Sequence, residues 1–557
     1  MRLFFLLSFF SSVALAQTDS VIVSGRVNRL SARLYRQSPN VTVARTNITR
    51  GGSEQAFAAP LQPDGQFRVA VPIIYPLEEM TFQVAGAATP FLAVAGRVSI
   101  EVDNDSLFVA AVPFRFGGVN AQVNQQFAQY KATDYRQQQV GRSERDRQVR
   151  RAMNAGTLAE TYSSLVNTFA TPLGSFAQGR TVFPLVQDWV RANAQYDAAA
   201  LVFDRAVSTG QDVPAGLLKT MLMGNDNLLT PARANALNRF ATYASGQVQE
   251  QVARSGQAVK IRRLAALLDR YVPDLTAADR ERLAAMRDAG SARQTDVRYL
   301  SKLMERRPDT LSKLTMYENM TQAARALFDS ASADYLKAYF VTSVLPQLTL
   351  ATAQLLGQHV RPQLGNARLG ESFNDAVGQA LRDTALVRTA RTTYVTQEKR
   401  TGINYGPLGN GIFVTTGTYR AGNDLVKSAL DRNRGKVIYV VLWQPTEEDS
   451  RQLAREAQPL LDAFSSRDVA VLYIGMGEAT ETLWLESVVR SRLRGDHLRL
   501  TPEQAEDAIS VLNLYEPSPV RLITPQGKLH RREALLPGGG AAEDFDKLVA
   551  QIQELLR

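Results

Sequence analysis

Four consecutive polar residues, Glu447, Glu448, Asp449 and Ser450, follow shortly after an apolar stretch that ends at Trp443. A carboxylate in this position could act as a general base. Acidic side chains are also typical of the first turn of a helix, where they face the positive end of the helix dipole. No nucleophile paired with a base lies nearby in the sequence. We therefore interpret the run as the start of a helix.

Three histidines, His359, His497 and His530, are widely separated, and the chain contains no cysteine. Because zinc sites are built mainly from Cys and His, the sequence predicts neither a metal site nor a bound cofactor. His497 and His530 lie in polar or basic stretches without a recognisable partner, and we expect both on the surface rather than in acid–base roles. The glycine run at 538–540 is interpreted as a loop, with anion binding ahead of the last helix as the alternative.

The length and charge of the chain indicate how many domains it has and which class of partner it binds. The chain has 557 residues, which suggests about three domains. Its 64 Lys and Arg against 54 Asp and Glu give a formal charge of +10. A basic balance can indicate a nucleic-acid partner, but the arginines are dispersed rather than grouped in runs. We therefore expect a solvated surface and no nucleic-acid partner.

The first residues have the pattern of an export signal. Arg2 supplies a positive charge, Leu3 to Val13 is mostly apolar, and Ala14-Leu15-Ala16 fits the cleavage site of signal peptidase. The pattern predicts a signal peptide over residues 1–16 and a mature chain that is periplasmic, part of the cell envelope, or secreted. No other run approaches the ~20 apolar residues of a membrane helix, so we expect no transmembrane segment in the mature chain.

Residues 17–117 have the period of β-strands. Val21 to Val27 and Phe67 to Val71 alternate and are rich in β-branched side chains, and the turn signal Pro63-Asp64-Gly65-Gln66 precedes the second run. Several such short strands predict a small antiparallel β-sandwich.

Residues 118–401 change to the period of a helix. Apolar side chains recur at helical spacing, as at Leu264, Leu267, Leu268 and Tyr271. The sequence from Thr276 to Asp279 resembles a capping box with Asp in the place of Glu. This region is predicted to be an all-α domain.

Residues 402–557 alternate between apolar strands and helical segments. The predicted buried strands are Val437 to Trp443, Val469 to Ile474 and Val520 to Thr524. The predicted helices are Thr446 to Phe464, one that opens at Thr501-Pro502, and one from about Ala542 to Leu556. This alternation predicts an α/β sheet.

The last region resembles the thioredoxin-like domain of TlpA-type thiol–disulfide oxidoreductases. Gly435 to Trp443 is similar to the family's first core strand, which ends in a Trp before the active-site loop. Tyr515 to Pro519 is similar to the segment that carries the family's cis-proline, and Leu522 to Lys528 to the strand and turn after it. Upstream, Asp64-Gly65-Gln66-Phe67 and the residues Gly118, Asn120 and Asn124 resemble the region that often precedes such domains.

The resemblance fails at the active site. In the family, a Cys-x-x-Cys motif exchanges disulfides, and the helix amino terminus lowers the pKa of the first thiol. Alignment on Trp443 places Glu447 and Ser450 at the two cysteine positions, and neither side chain can form a mixed disulfide. The resemblance also implies a cis bond between Ser518 and Pro519, next to a surface that binds extended peptide.

Three functions fit these patterns. The first is a non-catalytic envelope protein whose degenerate, redox-inactive thioredoxin-like domain binds a peptide or protein partner. The second is an enzyme: an oxidoreductase that acts with a partner's cysteines, or a hydrolase in the helical domain. The third is a purely structural role. The sequence favours the first and leaves the partner and the oligomeric state open.

Overall fold

The structure is a computed structural model of the chain. The residues that it describes are 20–31, 35, 40–51, 54–84, 87–107, 109–154, 156–222, 226–255, 259–291, 293–306, 308–345, 348, 350–392, 402–409, 411–417, 420–512, 514, 518–530, 533–537 and 542–556. The predicted signal peptide, the glycine run 538–540 and the segment 515–517 lie outside this set. No helix within the described residues is long and apolar enough to cross a membrane.

The N-terminal region, from Ser20 to Gly118, forms two β-sheets that share one core and is called the β-domain here. Its strands are β1 Ser20–Asn28, β2 Asn40–Thr46, β3 Glu54–Pro60, β4 Gln66–Pro72, β5 Leu77–Val84, β6 Ala87–Ala93, β7 Gly96–Asp103 and β8 Phe114–Gly118. One sheet has the order β4-β1-β7-β8, and β3, β2, β5 and β6 follow one another in the other. Alternate residues such as Val23 and Phe82 point into the space between the sheets.

The β-domain is a sandwich, as predicted, but it is not wholly antiparallel. Strands β1 and β7 pair in parallel, with Val21 opposite Gly96 and Asn28 opposite Asp103. The chain leaves the first sheet after β4, forms β5 and β6 in the other sheet, and returns to run beside β1 in the same direction. This crossover between sheets is the reason for the parallel pair.

A short segment joins the β-domain to the first long helix. Gly118 has a φ of +76°, and a Cβ there would lie 2.3 Å from the carbonyl oxygen of Arg97, so only glycine fits. Asn120 also adopts the left-handed conformation at the helix start. The fully buried Asn124 pairs with strand β6, since its Oδ1 accepts from the Leu92 amide at 2.7 Å. These contacts explain the Gly, Asn and Asn pattern of the sequence.

The middle region is helical as predicted from Ala121 to Ala390 and is called the helical domain. Its helices are α1 Ala121–Met153, α2 Leu158–Ala177, α3 Pro184–Thr209, α4 Ala215–Leu222, α5 Pro231–Ser255, α6 Ile261–Tyr271, α7 Ala277–Ala289, α8 Gln294–Met304, α9 Pro308–Leu327, α10 Ser330–Thr342, α11 Leu350–Val360 and α12 Ala367–Ala390. The predicted capping box at Thr276 and Asp279 is confirmed at the start of α7.

A strand pair and buried hydrogen bonds join the β-domain to the helical domain. A two-residue strand, β9 Leu228–Leu229, pairs in parallel with β5. The segment after β2 enters the helices, where the hydroxyl of Tyr335 on α10 donates to the Ile48 carbonyl and that of Thr342 donates to the Thr49 carbonyl. Because these bonds are buried, the two domains share one interior at this junction.

The C-terminal region, residues 402–557, is an α/β sheet and is called the C-terminal domain. Its strands are β10 Asn404–Gly409, β11 Ile412–Thr416, β12 Val437–Trp443, β13 Val469–Gly475, β14 Gly495–Arg499 and β15 Val520–Ile523. Its helices are α13 Gly422–Arg432, α14 Glu448–Glu456, α15 Leu460–Ala463, α16 Glu481–Arg490, α17 Pro502–Leu512 and α18 Ala542–Leu556. The sheet order is β10-β11-β14-β13-β12-β15, and β15 runs antiparallel to β12.

Strand β12 is covered on both faces, which explains its unbroken apolar sequence. Tyr439, Val441 and Trp443 pack into the core on one face, while Ile438 and Val440 pack into the core on the other. The predicted strand bounds of Val437 to Trp443 are confirmed.

The predicted helix from Thr446 to Phe464 is two helices in the structure. Helix α14 ends before Ala457, and the four-residue helix α15 begins after Pro459. Proline has no amide hydrogen to continue the ladder of α14, so the chain turns at this point.

Candidate functional site

The loop after β12 replaces the cysteine motif with a hydrogen-bonded turn. The amide of Gln444 donates to the Ser450 Oγ at 2.7 Å, and the Glu447 amide donates to the Gln444 carbonyl at 3.1 Å. The guanidinium of Arg451 donates to the Pro445 carbonyl at 2.8 Å. The Ser450 hydroxyl therefore helps to close the loop.

Glu447 is exposed and occupies the N-cap position of α14, where its side chain makes no capping hydrogen bond. The carboxylate therefore lies at the positive end of the helix dipole, which agrees with the structural interpretation of this run. Trp443, just before the loop, is 1% exposed, and Trp484 on α16 is equally buried. Both tryptophans are core residues.

The prediction of a cis bond before Pro519 is wrong. No peptide bond among the described residues is cis, and these include Ser518 and Pro519. The Pro519 carbonyl accepts from the Leu442 amide at 2.8 Å, and the buried guanidinium of Arg521 donates to the Ser518 carbonyl. These bonds fix the segment against β12 in the trans form, which is also the intrinsically preferred isomer.

A cleft of about 920 Å³ opens beside the loop, where the three domains meet. One wall belongs to the C-terminal domain and includes Pro445, Thr446, Arg451, Arg455, Ser487 and Arg492. The other wall belongs to the β-domain and to α12 and includes Arg50, Glu54, Gln55, Asp375, Gln379 and Asp383. Glu447, Ser450 and Pro519 do not line the cleft, although Pro445, Thr446 and Arg451 of the same loop do.

The two walls carry opposite charge. On the C-terminal side, the charged lining residues among the described positions are three arginines: Arg451, Arg455 and Arg492. We call this side the arginine wall. On the facing side, the charged lining residues are Glu54, Asp375 and Asp383 with Arg50, and we call it the carboxylate wall.

Two carboxylates of the carboxylate wall are held by neighbouring side chains. Asp375 Oδ2 accepts from the Arg45 guanidinium at 3.1 Å and from the Asn47 amide at 3.0 Å. Asp383 Oδ1 accepts from the Gln379 amide at 2.6 Å. Burial raises the pKa of Asp383, and this effect outweighs the lowering by the Gln379 hydrogen bond and by the charge of Arg492 across the cleft.

Arg492 occupies an unusual backbone position on the arginine wall. Its φ is +49°, in the left-handed region, directly after the end of α16. The Arg492 amide donates to the Val489 carbonyl at 3.1 Å, and the Leu493 amide donates to the Val488 carbonyl at 3.2 Å. This is a Schellman motif, and glycine is the usual residue at its left-handed position. An arginine here therefore retains backbone strain.

The prediction that His497 lies on the surface is wrong. Its ring is fully buried, stacks on Tyr473 with 4.8 Å between ring centroids, and bonds through Nε2 to the Leu493 carbonyl at 2.6 Å. Burial lowers the pKa of His497 to about 4, so the ring is neutral and donates through Nε2. The polar sequence around it gave no sign that β14 is an interior strand. His530 is half-buried.

His359 belongs to a buried polar chain that the sequence did not predict. Its Nδ1 lies 2.8 Å from the Tyr271 hydroxyl, and its Nε2 lies 2.7 Å from Glu318 Oε1. Arg263 donates two hydrogen bonds to the same carboxylate, each of 2.8 Å. Burial raises the pKa of Glu318, but the bonds from His359 and Arg263 outweigh it and lower the pKa to about 2. These residues are far apart in sequence, and no spacing pattern connects them.

No cluster of metal-ligating side chains occurs among the described residues: none brings together three or more His, Cys, Asp or Glu that could hold an ion. The expectation that the chain uses no cofactor stays a prediction.

Comparison with known proteins gives matches among solved structures alone. No family model matches the chain, and no curated protein matches it. Among solved structures, the thioredoxin domain of a thiol–disulfide oxidoreductase from Bacteroides vulgatus is similar, with 16% sequence identity and a TM-score of 0.20. The match covers 23% of this chain and 84% of that chain.

Proposed function

We propose that this chain is an exported cell-envelope protein whose C-terminal domain is a degenerate, redox-inactive thioredoxin-like domain of the TlpA type. In this proposal the domain binds an extended segment of a peptide or protein partner and catalyses no reaction on it. The observation that carries the proposal is the cleft of about 920 Å³ beside the loop that replaces the cysteine motif.

Redox inactivity follows from the composition. Thiol–disulfide exchange requires a thiolate that attacks a disulfide sulfur, and the 557 residues include no cysteine. At the two positions aligned with the motif, Ser450 Oγ accepts a hydrogen bond from the Gln444 amide, and Glu447 presents an exposed carboxylate. Neither group supplies the missing sulfur.

A binding role is supported by the size and place of the cleft. Ligand sites in proteins are typically clefts of about 300–1,000 Å³ and are frequent at domain interfaces. This cleft is near the upper end of that range, and its lining comes from the β-domain, helix α12 and the C-terminal domain. A cleft of this volume has room for a segment of several residues.

Site-directed photo-cross-linking tests the proposal, because a chain without cysteine allows a single reactive thiol to be introduced. Ser487 lines the cleft, whereas Ser466 is an exposed residue of the same domain that does not. We would label the Ser487→Cys and Ser466→Cys variants of the mature chain with a benzophenone maleimide and irradiate each with a random peptide mixture. We expect peptide adducts on the Ser487→Cys variant and few or none on the Ser466→Cys variant.

Two results would contradict the proposal. Equal or absent labelling of the two variants would show that the cleft does not select peptides. Turnover in an insulin-reduction assay by the purified chain, with no added thiol protein, would show that it is a redox enzyme after all. The export part is tested by N-terminal sequencing of the secreted or periplasmic chain, which should begin at Gln17.

A further inference from the structure

A second, much smaller cavity lies inside the C-terminal domain, where three parallel strands end. Strands β11, β14 and β13 are neighbours and end at Thr416, Arg499 and Gly475. The cavity at this edge of the sheet has a volume of about 20 Å³, and the first turns of α16 and α17 complete its lining. The carboxyl edge of parallel strands is where α/β proteins typically bind ligands.

This edge of the sheet is also a topological switch point. Strand β13 leads into α16, which packs through Trp484 and Leu485 into the core on one face of the sheet. Strand β14 leads into α17, which packs through Ala508 and Leu512 into the core on the other face. Because the chain leaves two neighbouring strands toward opposite faces, a crevice opens between the two helix starts.

The indole N–H of Trp484 is a buried donor that lines this cavity. The side chain is fully buried, and its Nε1 has no hydrogen-bond partner among the described residues. A Cβ at Gly475 would lie 2.7 Å from this nitrogen, so a glycine is needed for the N–H edge of the ring to lie against the end of β13. A buried donor without an acceptor destabilises a fold. The N–H therefore points to an acceptor that the chain itself does not supply.

Arg499 adds a positive charge and further donors to the same cavity. It lies opposite Gly475 in the register of β13 and β14. Its Nε donates to the Ala479 carbonyl at 2.8 Å, which fixes the plane of the guanidinium. No described residue accepts a hydrogen bond from its two Nη groups, so four of the five guanidinium donors remain for a ligand.

Two helices begin at the cavity. The Thr480 hydroxyl caps α16 by accepting from the Leu483 amide at 3.3 Å, and Thr501 and Gln504 form a capping box at the start of α17. The dipoles of both helices therefore place partial positive charge at this edge. Glu481 is the one carboxylate among the described lining residues, and it opposes the charge of the guanidinium.

We propose that this cavity binds a single halide ion, such as chloride, between Trp484 Nε1 and the Arg499 guanidinium. The volume of about 20 Å³ exceeds the roughly 10–15 Å³ that one water molecule needs, and it has no room for the several heavy atoms of a phosphate or sulfate. A halide accepts from N–H donors in any direction, which suits a lining in which donors outnumber acceptors. The site is separate from the cleft, and the inference does not depend on the proposed function.

The test uses bromide as a probe in crystals and chloride in solution. Crystals of the mature chain soaked in sodium bromide should show an anomalous-scattering peak between Trp484 Nε1 and Arg499. In solution, Tm is measured while chloride replaces isethionate, an anion too large for the cavity, at constant ionic strength. We expect Tm to rise by about 4 °C when chloride reaches about ten times its dissociation constant.

Matched variants connect this rise in Tm to the cavity. Arg499→Gln and Trp484→Phe each remove donors and should lose most of the rise, while Arg499→Lys keeps the charge and should keep part of it. Glu481→Gln removes a repulsion and should tighten chloride binding by about threefold. The control Arg467→Gln, an exposed arginine of the same domain outside the cavity, should keep the whole rise. Each rise is measured within one variant, so a lower starting Tm does not affect the comparison.

Three outcomes would overturn the inference. An equal Tm in chloride and in isethionate would show that the cavity does not select a halide. A rise that persists in both Arg499→Gln and Trp484→Phe, or that is lost in Arg467→Gln, would place the effect of chloride elsewhere on the chain. Electron density for a water molecule between Trp484 and Arg499 in the bromide-soaked crystal, without an anomalous peak, would show that the donors bind water instead.

Discussion

The two walls of the cleft use the same kinds of charged residue for different purposes. On the carboxylate wall, Asp375 pairs with Arg45, a guanidinium that is only 2% exposed, and the pair joins the β-domain to helix α12. On the arginine wall, Arg451 and Arg455 are half-buried at the edge of the C-terminal domain. One wall holds the domains together, and the other borders the cleft that we propose as a binding site.

This difference teaches that charge alone does not identify a binding residue. Asp375 and Arg451 both line the cleft, yet we expect the loss of the first to destabilise the protein strongly and the loss of the second to have little effect on stability. Burial and the identity of the partner distinguish them, because a buried ion is costly once its partner has gone.

The largest expected effect is on the carboxylate wall. Replacement Asp375→Asn leaves the Arg45 guanidinium buried without this charged partner; the Pro72 carbonyl still accepts a hydrogen bond from it, and the Glu78 carboxylate lies 4.0 Å away. We expect the free energy of unfolding to fall by about 3 kcal/mol, measured by urea denaturation. The control Arg451→Gln should change it by about 0.5 kcal/mol or less. If the two variants lose equal amounts of unfolding free energy, Asp375 is no more important for stability than Arg451, and the two walls do not differ in this respect.

The second prediction is that stability depends on pH through His497, which is buried in the C-terminal domain. Burial lowers the pKa of His497 to about 4, while an unfolded histidine has a pKa of about 6.5. Between these values the unfolded state binds a proton that the folded state does not, so stability falls as the pH falls. Between about pH 7 and pH 5 the loss should be about 2 kcal/mol.

The variant His497→Gln removes this titration. Its free energy of unfolding should therefore depend less on pH between about 7 and 5 than that of the wild type, although the variant is less stable at neutral pH. Urea denaturation of both proteins at several pH values measures the difference. Parallel pH profiles would show that His497 does not titrate on unfolding in this range.

The third effect separates stability from binding on the arginine wall itself. Replacement Arg492→Gly relieves the left-handed strain, and after the entropic cost of glycine we expect a gain of about 0.5 kcal/mol in unfolding free energy. When the Ser487→Cys label is introduced into the same variant, it should form fewer peptide adducts than in the wild-type background, because the cleft has lost a guanidinium donor. Arg492→Lys, which keeps the strain and the charge, is the matched control. A glycine variant that binds as well as the wild type would exclude Arg492 from recognition.

Much of the fold could be predicted from local patterns. The apolar run from Val437 to Trp443 gave a strand with the correct bounds, and the capping box at Thr276 marked a helix start. Errors arose where a single residue or a distant partner decides the structure. Pro459 divides a predicted helix, and strand β1 pairs in parallel with β7 because the chain crosses between sheets.

The candidate site was predictable only in part. The loop after Trp443 was singled out from its sequence, and it borders the cleft through Pro445 and Arg451. The rest of the lining was not predictable, because residues as far apart as Arg50 and Arg492 meet only once three domains have packed. His497 was misplaced for a related reason, since burial of β14 depends on its neighbours in the sheet.

The most direct test of the account is the rate at which the thiol of the Ser487→Cys variant reacts with a maleimide, with and without a saturating concentration of a peptide recovered from the cross-linking experiment. If a peptide segment occupies the cleft, the peptide should slow this reaction about tenfold or more and leave the exposed Ser466→Cys control unchanged. An unchanged rate at Ser487→Cys, with the peptide demonstrably bound, would place the ligand elsewhere and contradict the account.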